Sequence, residues 1–169
     1  MSPAVPSTSG LQICTSNKPL ANTATVSFLG TESITLAPHA PGSATGTCTP
    51  QYNGDIHVLR SWPHMHQMGT GLTTVIMRKD GTTETLGPWA FDFNSQVSWQ
   101  TPTIIHPGYR LTTTCQYNNT ADRTVTVGLD TQSEMCFNFV TAYPAKALVS
   151  KNLFGGSTSL TSSATACLQ

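Results

Sequence analysis

Short runs of alternating apolar and polar residues recur along the chain, broken by glycine, proline, asparagine and aspartate, while the 3.6-residue period of an amphipathic helix is scarce. The alternation predicts strands at 23–29 and 33–37, followed by a loop through Pro38, His39, Ala40, Pro41, Gly42 and Ser43. Strands are next expected at 55–60, 72–79 and 82–86, the last two joined by Asp80-Gly81, a hairpin signal. Further strands are expected at 96–100, 109–117, 124–128 and 136–142, punctuated by Pro107-Gly108 and Asn118-Asn119. The pattern is that of an all-β protein, an antiparallel β-sandwich of jelly-roll type. Residues 1–12 read as a flexible lead and 13–169 as a single domain with disulfides. The stretch 151–166 is rich in glycine, serine and threonine and reads as poorly ordered by itself.

Composition narrows the function. The 169 residues suit one core shared by two small sheets. Only 9% are charged, eight basic against eight acidic, so no basic stripe offers itself to nucleic acid. No apolar run approaches the roughly 18 residues of a membrane span. The first residues lack the basic region and apolar core of a secretory signal, as expected of a fragment of a longer precursor. Five cysteines, Cys14, Cys48, Cys115, Cys136 and Cys167, form no C-x-x-C pair, which argues against a thiolate zinc site. Their wide spacing suggests two disulfides and an oxidising, extracellular or periplasmic compartment, with the odd cysteine free or paired with something outside this chain. Pairing Cys167 with a distant cysteine would tie down the tail and contribute about 4–5 kcal/mol in the chain-entropy model.

The candidate chemistry lies in Trp62-Pro63-His64-Met65-His66-Gln67-Met68-Gly69. On a strand, His64 and His66 share a face roughly 7 Å apart and can converge on one metal ion. Taken alone, the pair could equally be two polar residues on a solvent face. Two imidazoles need a third donor, and Met135 is the candidate. A thioether beside two imidazoles favours copper, Cu(I) above all. By itself Met135 reads as a core gap-filler. Met65 points to the opposite face and reads as core, and Met68 is a weaker thioether candidate. His57, seven residues before His64, would face the other way on a regular strand and reads as a hydrogen-bonded structural residue. His39 and His106, each beside a proline, read as surface; Glu134 beside Met135 could tune the site or simply face water, and solvation is the safer reading. Asn118-Asn119-Thr120 fits an N-glycosylation acceptor at Asn118 on a turn. Trp62, Trp89 and Trp99 read as core or rim aromatics.

Three spaced motifs then carry a resemblance. They are Ile56-His57-Val58 leading to His64-x-His66-x-x-Gly69; Gly108-Tyr109-Arg110-Leu111 with Cys115-x-Tyr117-Asn118; and Glu134-Met135-Cys136-x-Asn138-Phe139. Together, in order from Cys14 to Cys167, they resemble the C-terminal half of the copper type II, ascorbate-dependent monooxygenases. The resemblance implies that His64, His66 and Met135 hold one copper per chain, the copper that activates O2 to hydroxylate an activated C–H bond, with ascorbate or another reductant as electron donor. It also implies disulfides Cys115–Cys136 and Cys48–Cys167, the first bracing the segment that carries Met135. Three protein ligands leave an open position, as a catalytic metal requires.

The departures from the family pattern matter as much. Full-length members carry an N-terminal domain with a second, all-histidine copper, and no such cluster exists here, so a missing partner domain or a soluble reductant is expected for turnover. The peptide-amidating branch places an arginine two residues before the first ligand histidine, where this chain has Trp62, with Arg60 one step further along. Phe137 and Phe139 replace an amide and a phenol of that branch. A neutral or aromatic substrate pocket lined by Trp62 and Phe139 is the better expectation, for a small-molecule or peptide substrate. The alternative, from a different class, is a non-catalytic jelly-roll module that binds copper or mediates assembly. No Ser/His/Asp or paired-carboxylate motif supports a hydrolase.

Overall fold

The computed structural model of the chain describes residues 10–148. Most of the expected lead, the 151–166 stretch and Cys167 lie outside the described residues. Ten strands run in the order β1 (Thr25–Thr31), β2 (Thr35–Leu36), β3 (Ala40–Cys48), β4 (Ile56–His64), β5 (Gly69–Met77), β6 (Thr83–Ala90), β7 (Trp99–Ile105), β8 (Arg110–Asn119), β9 (Val125–Thr126) and β10 (Cys136–Tyr143). Two four-stranded antiparallel sheets, β1-β10-β4-β7 and β3-β8-β5-β6, form the expected β-sandwich, and β2 and β9 make a small ladder of their own. Among the described residues no helix is long and apolar enough to cross a membrane.

Alternation decides which side chains enter the core. Leu29, Ile56, Val58, Ile105 and Val140 from the first sheet meet Ile76, Leu86 and Leu111 from the second. A second cluster gathers Leu36, Met65, Leu72, Cys115, Tyr117, Val125 and Cys136, so Met65 is a core residue as expected. The disulfide Cys115–Cys136 joins β8 to β10 and thereby ties the two sheets together. Polar groups also enter the core, and the buried Asn138 Oδ1 has no hydrogen-bond partner among the described residues. Asn138 donates from Nδ2 to the hydroxyls of Ser61 (3.3 Å) and Thr74 (3.1 Å).

The Asp80-Gly81 hairpin forms between β5 and β6, with Gly81 at φ 84°, a conformation a Cβ would strain. Three expectations need correction. The loop expected at 38–43 is largely strand, because β3 is an edge strand where Pro41 can stay exposed without costing an interior ladder bond. Hydroxyl pairs Thr45–Thr114 (3.0 Å) and Thr47–Thr112 (3.1 Å) hold β3 to β8. Asn118 and Asn119 end β8 rather than form a turn: Asn118 is exposed, while buried Asn119 donates to the carbonyls of Leu36, Ala37 and Arg123. Finally, β4 carries a bulge between Val58 and Arg60 that moves every earlier side chain to the other face. His57 therefore shares a face with His64 and stacks on Tyr143, ring centroids 4.5 Å apart.

Candidate metal centre

His64 is the last residue of β4, and His66 lies two residues on, where the chain turns toward β5 through a bond from Gly69 N–H to the His66 carbonyl. The burial pattern of β4 sends Ser61 and Pro63 inward, leaving Trp62 and His64 on the face turned away from the second sheet. The imidazoles of His64 and His66 lie with centroids 5.6 Å apart and planes nearly perpendicular. His66 is buried and His64 half-buried.

Each ring has one nitrogen engaged. His64 Nδ1 lies 2.9 Å from Gln96 Oε1, and His66 Nδ1 lies 2.9 Å from the Ser133 carbonyl oxygen. A backbone carbonyl only accepts, so the Nδ1 of His66 carries the proton, and the Gln96 oxygen asks the same of His64. In the neutral form of such a ring Nε2 keeps its lone pair, the tautomer a metal-binding imidazole requires. Burial pushes the His64 ring below the ordinary histidine range against the opposing bond to Gln96, and the neighbouring His66 adds to the lowering. A neutral ring is the ligating form.

Met135 immediately precedes β10 and is buried. Its N–H donates to Glu134 Oε2 (3.2 Å), the same oxygen that accepts the N–H of His66 (2.8 Å), and its carbonyl accepts the Tyr117 hydroxyl (2.7 Å). Burial beside Glu134 raises the Tyr117 phenol, so it stays a donor. Among the described residues no three His, Cys, Asp or Glu side chains gather as a metal-holding group. Two thioether residues have backbones tied to His66 through the Glu134 carboxyl, Met135 and Met68. Imidazole nitrogen and thioether sulfur are donor types suited to copper, Cu(I) in particular.

Glu134 is the residue whose environment the sequence misrepresents. Expected in solvent, it is fully buried, its carboxyl held by the backbone N–H groups of His66, Met68 and Met135. Burial pushes this carboxyl above the ordinary range, while those three donors pull against the shift. Met68 packs partly buried against the second core cluster. His57 is not brought to the pair. His39 and His106 are surface residues, facing Asp122 and Asp55 at 2.7 Å. Cys14 is exposed and free. Cys48 ends β3, and the pairing expected for it falls on Cys167, outside the described residues.

Beside the histidines runs a groove of about 420 Å³ on the outer face of the first sheet. Val26, Phe28, Trp62 and Phe139 wall it, with Arg60, Ser98 and Thr141 at its polar edge. Phe139 stacks on His64 (5.0 Å, 29°) and meets Trp62 edge-on (5.9 Å), so one ring connects the groove to the histidine pair. Trp62 remains 44% exposed, an aromatic wall facing solvent. Arg60 donates to the Ser98 hydroxyl at 2.8 Å at the groove edge.

Residues 22–153 match the family described as copper type II ascorbate-dependent monooxygenase, C-terminal domain. The chain is also similar to dopamine beta-hydroxylase of Canis lupus familiaris, 30% identical over 114 residues, covering 62% of this chain and 18% of that protein. A second relative, DBH-like monooxygenase protein 1 of Mus musculus, is 32% identical over 116 residues, covering 63% of this chain and 19% of that protein. The chain thus spans under a fifth of the curated relatives it matches.

Proposed function

The chain belongs to the copper type II, ascorbate-dependent monooxygenase family as its C-terminal domain, and from that premise we propose that His64, His66 and Met135 hold one copper ion for hydroxylation of an activated C–H bond. The observation that carries the reading is the paired engagement of both Nδ1 atoms, by Gln96 and by the Ser133 carbonyl, which leaves the two Nε2 atoms for a metal where β4 ends. Copper held there supplies the redox chemistry that activates O2. The protein's residues do the rest. Gln96 and Ser133 fix the ring orientations, and the buried thioether favours the reduced ion. The apolar groove walled by Trp62, Phe28 and Phe139 seats a neutral or aromatic group of the substrate beside His64.

Turnover draws electrons from ascorbate or an equivalent reductant, directly or through an N-terminal domain of the kind the family carries. The Cys115–Cys136 disulfide fits an oxidising compartment, extracellular or periplasmic.

An anaerobic Cu(I) competition titration tests this, comparing the native chain with His64→Ala, His66→Ala and Met135→Ile. One tightly bound Cu(I) per chain, weakened by at least about tenfold in each variant, is expected. Binding indifferent to all three changes would remove the site. Copper bound as expected, but with no ascorbate-driven hydroxylation even beside a family N-terminal domain, would reduce the chain to a copper-binding module.

A further inference from the structure

The ladder between β4 and β10 runs out at the pair His64 and Phe137. Past that point the two segments part: His66 leads into β5, while Ser133, Glu134 and Met135 arrive from the other side. No ladder rung holds His66 to Met135. The side chain of Glu134 takes that place. Its Oε2 accepts both the His66 N–H (2.8 Å) and the Met135 N–H (3.2 Å), and its Oε1 accepts the Met68 N–H (2.7 Å).

The bracket is itself anchored. The Glu134 N–H donates to the Thr126 carbonyl (3.0 Å) and its carbonyl accepts the Gly128 N–H (3.1 Å), tying its backbone to the segment at β9. Met135 is gripped at both ends, its N–H by Glu134 and its carbonyl by the Tyr117 hydroxyl (2.7 Å). The Ser133 carbonyl that orients the His66 ring belongs to the residue just before Glu134. A single buried side chain thus spans the backbones of two of the three proposed ligands, segments that are 68 residues apart for His66 and Glu134.

We infer that Glu134 is a positioning residue that sets the separation of His66 and Met135 and so decides whether the thioether reaches the copper held by the histidines. The inference rests on the proposed ligand set. The chemistry asks for a carboxyl group: three N–H donors converge on two oxygens, and both oxygens must accept. Glutamine has nearly the same shape but one acceptor, and its NH2 would face a backbone N–H on the other side. In Glu134→Gln either Met68 or the His66–Met135 pair loses its acceptor, and the two segments are free to separate.

The test uses the full chain loaded with one equivalent of Cu(I). X-ray absorption at the copper edge reads the sulfur neighbour, and competition titration reads affinity. The native protein is expected to show one sulfur neighbour beside its histidine nitrogens. Glu134→Gln is expected to lose the sulfur while keeping the nitrogens, to bind Cu(I) about 10- to 100-fold more weakly, and so to match Met135→Ile. A glutamine variant with the sulfur neighbour and native affinity intact would overturn the positioning role and leave the ligand set standing. A native protein without a sulfur neighbour would overturn both. Amide exchange in the metal-free native protein needs no variant and covers the case in which Glu134→Gln fails to fold. The His66 and Met135 amides are expected to be strongly protected, and free exchange at either would overturn the bracket.

Discussion

At His64 and His66 the two nitrogens of each ring play different parts in the proposed centre, since Nδ1 fixes the ring and Nε2 is left for the copper. The Gln96 oxygen is the part of this arrangement most easily removed, because His66 uses a backbone carbonyl. In Gln96→Ala the His64 ring loses its partner, and Cu(I) affinity is expected to fall about 10- to 100-fold. The same change moves the titration of His64. Burial already holds that ring below the ordinary histidine range, and the bond to Gln96 is what favours its charged form. Without it the midpoint is expected to fall further, read by NMR titration of the metal-free protein. A midpoint that stays put would contradict the assigned orientation.

Residue chemistry was legible where the chemical type is distinctive and hidden where the partner is backbone. Two histidines one residue apart announce themselves, and Met135 gains meaning from its place in a three-motif pattern. Glu134 does not: a glutamate beside a methionine looks solvated, because the three N–H groups that bury it belong to His66, Met68 and Met135 whatever their side chains. No residue type marks such a cradle in advance.

Among the elements, β10 carries the closest link between fold and site. Met135 stands just before it, Cys136 opens it with a disulfide to β8, and Phe139 connects the groove to His64. The disulfide closes a separation of 21 residues, for which the chain-entropy model gives about 3 kcal/mol. Replacing Cys115 and Cys136 together by alanine is expected to lower unfolding free energy by about 2–4 kcal/mol in urea titrations. Cu(I) affinity should drop with it, because the residue after Met135 loses its anchor. A stability loss with affinity intact would confine the bridge to the fold. Strands with clear alternation, such as β5 and β8, could be read from the sequence. Edge strand β3 could not, since Pro41 and Gly42 look like loop residues unless it is known that an edge tolerates them. The bulge in β4 was equally silent, and it alone places His57 on the face of His64.

Over the whole molecule, the sandwich sets its candidate metal centre at one end of the first sheet and an aromatic groove along that sheet's outer face. The second sheet contributes support from behind, through Tyr117 and Cys115. The fold class followed from alternation, and the family from the three spaced motifs. The groove did not follow from periodicity, because Val26, Phe28, Trp62 and Phe139 come from three strands that only the order β1-β10-β4 makes neighbours.

The functional proposal for this chain turns on the proposed copper site. Crystals of the Cu(I)-loaded chain, measured on both sides of the copper absorption edge, would locate the ion directly. The expected result is one anomalous peak between His64 Nε2, His66 Nε2 and Met135 Sδ. A peak elsewhere, at His106 and Asp55 or at His39 and Asp122, or no peak in protein that retains its fold, would contradict the proposed centre.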